Sequence, residues 1–76
     1  MVYFVIGGHY RSGNTAIIIT SLEKKYITYM RAKGKVEHRT KVYWTRLKNL
    51  EHPVQYIKLD GKRIFALNID DDPKRD

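Results

Sequence analysis

Lysines and arginines are interspersed with Tyr26, Tyr29, Tyr43 and Trp44 along one stretch, Lys24 to Lys48, and these residue types together suggest the chemistry of a polyanion site. The stretch holds nine of the fifteen Lys and Arg residues and a single acid, Glu37, so it carries +8. Residues 1–23 balance Arg11 against Glu23, and residues 49–76 sum to −1, so the formal +7 of the chain arises in the middle. Lysine and arginine neutralise phosphates and release counterions, and tyrosines on the same face stack unpaired bases. The expected binding residues for nucleic acid or another partner are Lys25, Tyr29, Arg31, Arg39, Lys41 and Tyr43, extended by Arg46 and Lys48. A solvated hairpin face, whose lysines keep an edge strand from pairing with neighbours, would carry the same charge.

Other chemistry is thinly represented. His9, His38 and His52 match no metal-ligand spacing. His38 beside Arg39 and Lys41 would suit RNA cleavage only if its ring turned to the side those cations occupy. Asp70, Asp71 and Asp72 are adjacent acids, which cannot all converge on one ion in extended geometry. GGHYRSGNT lacks the GK[ST] ending of a phosphate loop and reads as a turn. No catalytic residue, metal site or cofactor is assigned.

The elements that must position the basic stretch read as strands. Val2 to Ile6 is a continuous apolar run, and Thr15 to Thr20 contains three successive isoleucines; both suggest strands covered on two faces, joined by a loop through Ser12, Gly13 and Asn14. Residues 21–33 admit a helix, with Thr20 and Glu23 as a capping box and Gly34 beyond its end. The run Tyr26-Ile27-Thr28-Tyr29 prefers extended structure, and the strand is the favoured reading. A three-residue turn, Lys33-Gly34-Lys35, would then pair Met30 with His38, Tyr26 with Val42 and Lys24 with Trp44 on a core face. Tyr29 with Arg39, and Lys25 with Tyr43, would fall on an outer face. Residues 45–51 suggest a short helical turn or a bulge. Residues 54–69 read as a hairpin with Asp60-Gly61 at its tip, pairing Ile57 with Ile64 and Tyr56 with Phe65.

Five to six short strands define a mainly β fold, a small antiparallel sheet or barrel of the SH3-like or OB-like kind. The alternative is α+β, with residues 21–33 helical. One domain is expected over residues 1–69, and residues 70–76 read as a polar, frayed tail. At 76 residues the core is thin, which makes a homo-oligomer a reasonable expectation. The chain has no cysteine, so disulfides and thiolate chemistry are excluded, and a cytoplasmic setting is expected. No signal peptide or membrane-length apolar run is visible. Together these features suggest a small non-catalytic nucleic-acid-binding protein that favours single-stranded DNA or RNA. The rival expectation is a protein-binding regulator or inhibitor, of the accessory kind that mobile elements encode, docking its basic face on an acidic or nucleic-acid-handling partner. A small ribonuclease is third.

Overall fold

Alternation between buried and outward residues shapes about half of the described residues into strands. The structure, a computed structural model, describes residues 1–70. It contains β1 (His9–Ser12), β2 (Thr15–Leu22), β3 (Tyr26–Arg31), β4 (Glu37–Lys41), β5 (Tyr43–Thr45), β6 (Val54–Leu59) and β7 (Lys62–Phe65). They form a four-stranded antiparallel sheet in the order β1-β2-β3-β4 and a three-stranded antiparallel sheet in the order β5-β6-β7. The described residues include no helix, so the helical alternative for residues 21–33 is not adopted. Within β3, Ile27 and Tyr29 are buried while Tyr26 and Arg31 are exposed, a period of two that a helix cannot satisfy.

The inner rows of both sheets share one core. Ile17, Ile19, Ile27 and Tyr29 come from the first sheet, and Ile57, Ile64 and Val54 from the second, with Phe4, Tyr10, Val42 and Ala66 completing the cluster. The isoleucine run is covered mainly on one face: Ile17 and Ile19 are buried and Ile18 is half-buried. Two short links join the sheets. The chain itself passes from β4 to β5 through buried Val42, and Tyr10 of β1 forms an antiparallel bridge with Ile69. Arg11 N–H donates to Asn68 O and Asp70 N–H to His9 O across that bridge.

The N-terminal run departs from expectation. Residues 2–6 are an arm and not a strand, with Phe4 buried but Tyr3, Val5 and Ile6 exposed. The arm's backbone is satisfied by single contacts in place of a ladder. Val2 N–H donates to Pro53 O, and Gln55 N–H to Val2 O, the parallel bridge of Val2 with Val54. The Gln55 side-chain oxygen then accepts from Phe4 N–H at 2.9 Å, and the Tyr10 hydroxyl accepts from Val5 N–H at 3.0 Å. Buried backbone groups need partners, and here two side chains supply them.

The central hairpin also differs. Its pairs are Tyr26 with Lys41, Ile27 with Thr40, Thr28 with Arg39, Tyr29 with His38 and Met30 with Glu37. That is one residue away from the expected register, and a one-residue slip exchanges the faces. The connection is residues 32–36, with Gly34 N–H donating to Arg31 O, and not the three-residue turn. The physical reason lies at Val42. Sorting faces by Trp44 assumed that the hairpin ran on to that residue, whereas Trp44 belongs to β5 in the other sheet. With Trp44 removed from the pairing, burying Ile27, Tyr29 and Val42 together decides the register. Trp44, expected inside, is 41% exposed and packs edge-on against Tyr3 at 5.2 Å.

The second hairpin matches the structure. Asp60 and Gly61 both have positive φ (54° and 72°), as a type I′ turn requires, and the hairpin pairs Tyr56 with Phe65 and Ile57 with Ile64. Between β5 and β6, where a short helical turn or a bulge was expected, Leu50 N–H donates to Leu47 O and closes a turn that does not continue as a helix.

Gly8 is demanded by close approach. A Cβ there would lie 2.9 Å from Cε2 and Oη of Tyr10 and 3.0 Å from Cγ2 of Val5. The Tyr10 ring is buried and tied to the arm, so it cannot swing away. Gly8→Ala is therefore expected to cost about 1–3 kcal/mol, as overpacking does. Gly34→Ala, whose nearest neighbour would be at 3.4 Å, should cost clearly less. Urea unfolding of both variants checks this, and equal losses would refute the packing account.

Candidate functional site

Because Val42 points inward, its neighbours Lys41 and Tyr43 both point outward, and the outer faces of the two sheets meet there. On the first sheet, Tyr26 is the register partner of Lys41, and the Arg39 guanidinium lies 4.0 Å from the Tyr26 ring centroid. On the second sheet, Tyr43, Tyr56 and Phe65 share one row across β5, β6 and β7. Tyr43 and Tyr56 stack with centroids 5.4 Å apart and planes at 24°; Tyr56 and Phe65 follow at 5.6 Å and 46°. Lys58 and Arg63 are partners two residues further along the same face. Lys58 Nζ sits 4.8 Å and Lys41 Nζ 5.6 Å from the Tyr43 centroid, and Arg63 lies 5.3 Å from that of Tyr56. Such cation–ring contacts contribute about 0.5–1 kcal/mol at exposed sites. The result is a band of half-buried rings carrying lysine and arginine heads.

The residues expected from the sequence are only partly gathered there. Arg39, Lys41 and Tyr43 lie in the band. Tyr29, expected outside, is buried at 6% exposure and stacks on His38 at 5.4 Å; burial pushes its phenol pKa up. It cannot stack a base. Arg31 leaves β3 to make a two-pronged ion pair with Asp60, at 2.8 and 3.0 Å, tying the first sheet to the turn between β6 and β7. Lys25 is exposed in the β2–β3 turn, where its carbonyl accepts from Val42 N–H. Arg46 and Lys48 are exposed beyond β5. Tyr26, Tyr56, Lys58, Arg63 and Phe65 were not among the expected residues. The hairpin that pairs Tyr56 with Phe65 was legible, but nothing local in the sequence places it beside Tyr43.

Carboxylates set the electrostatics at two of these arginines. Glu23 accepts from Arg39 at 2.7 and 3.1 Å, and Asp60 from Arg31 as above. These hydrogen bonds hold both carboxyls below their usual pKa and both guanidiniums above theirs. Both pairs are solvent-exposed, so screening keeps their energetic weight small.

His38 pairs with Tyr29 on the inner row, while Arg39 and Lys41 occupy the outer row, so these residues do not converge on one scissile group. Among the described residues no group of His, Asp or Glu is arranged to hold a metal ion. Asp70, expected as the start of a frayed tail, is anchored: its carboxylate accepts from Arg11 Nε at 3.2 Å. Residues 71–76, including Asp71 and Asp72, lie outside the described residues. Among the described residues no helix is long and apolar enough to cross a membrane. Compared with protein-family models, curated proteins and solved structures, the chain matches none.

The Arg31–Asp60 pair makes a pH prediction. A carboxylate whose folded pKa is depressed stabilises the fold above its unfolded value, about 3.9, and that contribution is lost as pH falls through the folded value. Asn tolerates the left-handed conformation at position 60, so Asp60→Asn removes the charge and keeps the turn. Its urea midpoint should fall below that of the native chain at pH 7, and the gap should close as pH drops below about 4. A gap independent of pH would show that the ion pair is not its cause.

Proposed function

We propose that the chain is a small non-catalytic nucleic-acid-binding protein that meets its ligand through the band running from Tyr26 and Arg39 over Lys41 and Tyr43 to Tyr56, Lys58, Arg63 and Phe65. The observation that carries this reading is the Tyr43–Tyr56–Phe65 row with Lys41, Lys58 and Arg63 set upon it. The cations are spaced along a surface and not sunk in a pocket, which suits a phosphate backbone. Aromatic groups beside them favour single-stranded DNA or RNA over duplex. Lys25, Arg46 and Lys48 extend the positive field around the band. The passage through Val42 and the Tyr10–Ile69 bridge support treating the two sheets as an open barrel of the SH3-like or OB-like kind; the cytoplasmic setting rests on the absence of cysteine from the sequence.

Fluorescence anisotropy with ssDNA, RNA and dsDNA tests it. Binding is expected at low salt, tightest for single strands, with log K falling linearly against log salt. Replacing Lys41, Lys58 and Arg63 by Gln should each lower the slope by about one phosphate contact. Tyr43→Ala and Tyr56→Ala should weaken single-strand binding more than duplex binding. Unchanged slopes in the triple variant would remove the band as the interface.

A second reading has its own observation. Met1, Tyr3, Val5, Ile6 and Trp44 expose a run of apolar side chains along the N-terminal arm, as a protein-docking or self-associating surface would. On this reading the chain is a regulator or inhibitor that docks on a nucleic-acid-handling partner. A protein that stays bound in a pull-down from nuclease-treated lysate, and is lost with Tyr3→Ser and Trp44→Ser, would favour it over direct binding.

A further inference from the structure

A cavity of about 350 Å³ opens at the end of the first sheet, where the β1–β2 turn meets the residues that follow β3. Arg11, Arg31 and Lys33 bring cations to its wall, and Asn14 and Thr15 add polar side chains. The hollow exists because its floor is built from small residues. Ala16 is the register partner of Arg11, and Ala32 N–H donates to Ala16 O at 2.9 Å, so two methyl groups lie between the cationic walls. None of the described residues lining it is acidic. At the same end of the molecule, Lys62 brings its ammonium against Gly13, where an added Cβ would lie 3.1 Å from Nζ.

Two of the arginines are already held by carboxylates. Asp60 holds Arg31 through both terminal nitrogens, which orients that guanidinium plane, and Asp70 engages Arg11 through Nε. Pre-oriented arginine with a nearby ammonium and an amide donor is the chemistry that binds a phosphate. Small-molecule sites begin at about 300 Å³, so the volume suits a nucleotide-sized body better than a bare anion.

We propose that this cavity binds a phosphate group carried on a nucleotide-sized body, and that it takes the phosphorylated end of a nucleic-acid strand. The identity of the strand rests on the nucleic-acid reading above, whereas the phosphate chemistry of the cavity stands on its own residues. Arg11 and Ala16 lie on the outer face of the first sheet, as Tyr26, Arg39 and Lys41 do, so a strand held on the band can reach the cavity without crossing the core.

Titration of the 15N-labelled full chain with inorganic phosphate and with adenosine 5′-monophosphate reads the site directly. The monophosphate is expected to shift the amides of Asn14, Thr15, Ala16, Ala32 and Lys33, and phosphate to compete with it. Lys33→Gln, at an exposed position, should weaken the monophosphate about tenfold, the loss of one charge-assisted contact. A 5′-phosphorylated oligonucleotide should bind the native chain more tightly than its unphosphorylated twin, and Lys33→Gln should abolish the difference. Strand binding at the band with no cavity shifts and no preference for the phosphorylated end overturns the proposal and leaves the band standing. Cavity shifts with the monophosphate, but no binding of any strand, would keep the phosphate site and discard the nucleic-acid reading.

Discussion

Burial of Val42 is the constraint on which the rest of this small fold depends. In the first sheet β4 pairs only with β3, and in the second β5 pairs only with β6, so the chain must change sheets between Lys41 and Tyr43. It does so on one residue. Val42 turns into the core, and its amide donates to Lys25 O, continuing the β3 ladder for one more step. With the inward position held by Val42, alternation carries straight across the junction. Lys41 ends one outer face and Tyr43 begins the next. A polar residue at 42 would lose both the core contact and the reason for the crossing, and the two outer faces would no longer share an edge.

The same economy governs the N-terminal arm. A sheet with a free lane beside β6 could accept a full strand, but β7 already occupies most of that lane, and only Val2 finds a backbone partner there. Gln55 then becomes the hinge of the arrangement. Its amide donates to Val2 O, its carbonyl accepts from Ala66 N–H, and its side-chain oxygen accepts from Phe4 N–H. This explains a buried glutamine among isoleucines, and it explains why Phe4 alone of its neighbours is driven fully inside.

What the sequence made legible was local, and what it concealed was long-range. Asp60-Gly61 declares its turn because both residues tolerate positive φ, and the flanking pairs follow at once. Tyr26-Ile27-Thr28-Tyr29 declares a strand by β preference despite a plausible helix cap. Register and partner choice are different in kind. Whether Tyr29 or Tyr26 faces inward depends on where β4 stops, and that depends on β5 finding β6 some ten residues later. The apolar run of residues 2–6 is likewise indistinguishable from a buried strand until its neighbours are known. Of the candidate site, Arg39, Lys41 and Tyr43 were readable; Tyr56, Lys58, Arg63 and Phe65 needed the second sheet.

The division of labour between the two cation types gives the surface its character. Arg11, Arg31 and Arg39 each join distant parts of the chain through a carboxylate: Asp70, Asp60 and Glu23. Arginine suits this role because its planar fork matches a carboxylate edge, and two of these pairs are two-pronged. Lys41 and Lys58, by contrast, rest on a tyrosine ring, a partner that steadies the ammonium without cancelling its charge. A sequence count of nine bases in the central stretch therefore overstates the net charge around Arg39 and leaves out Lys58 and Arg63 of the second sheet. Lys41, Lys58 and Arg63 thereby keep their charge beside the aromatic row of Tyr43, Tyr56 and Phe65.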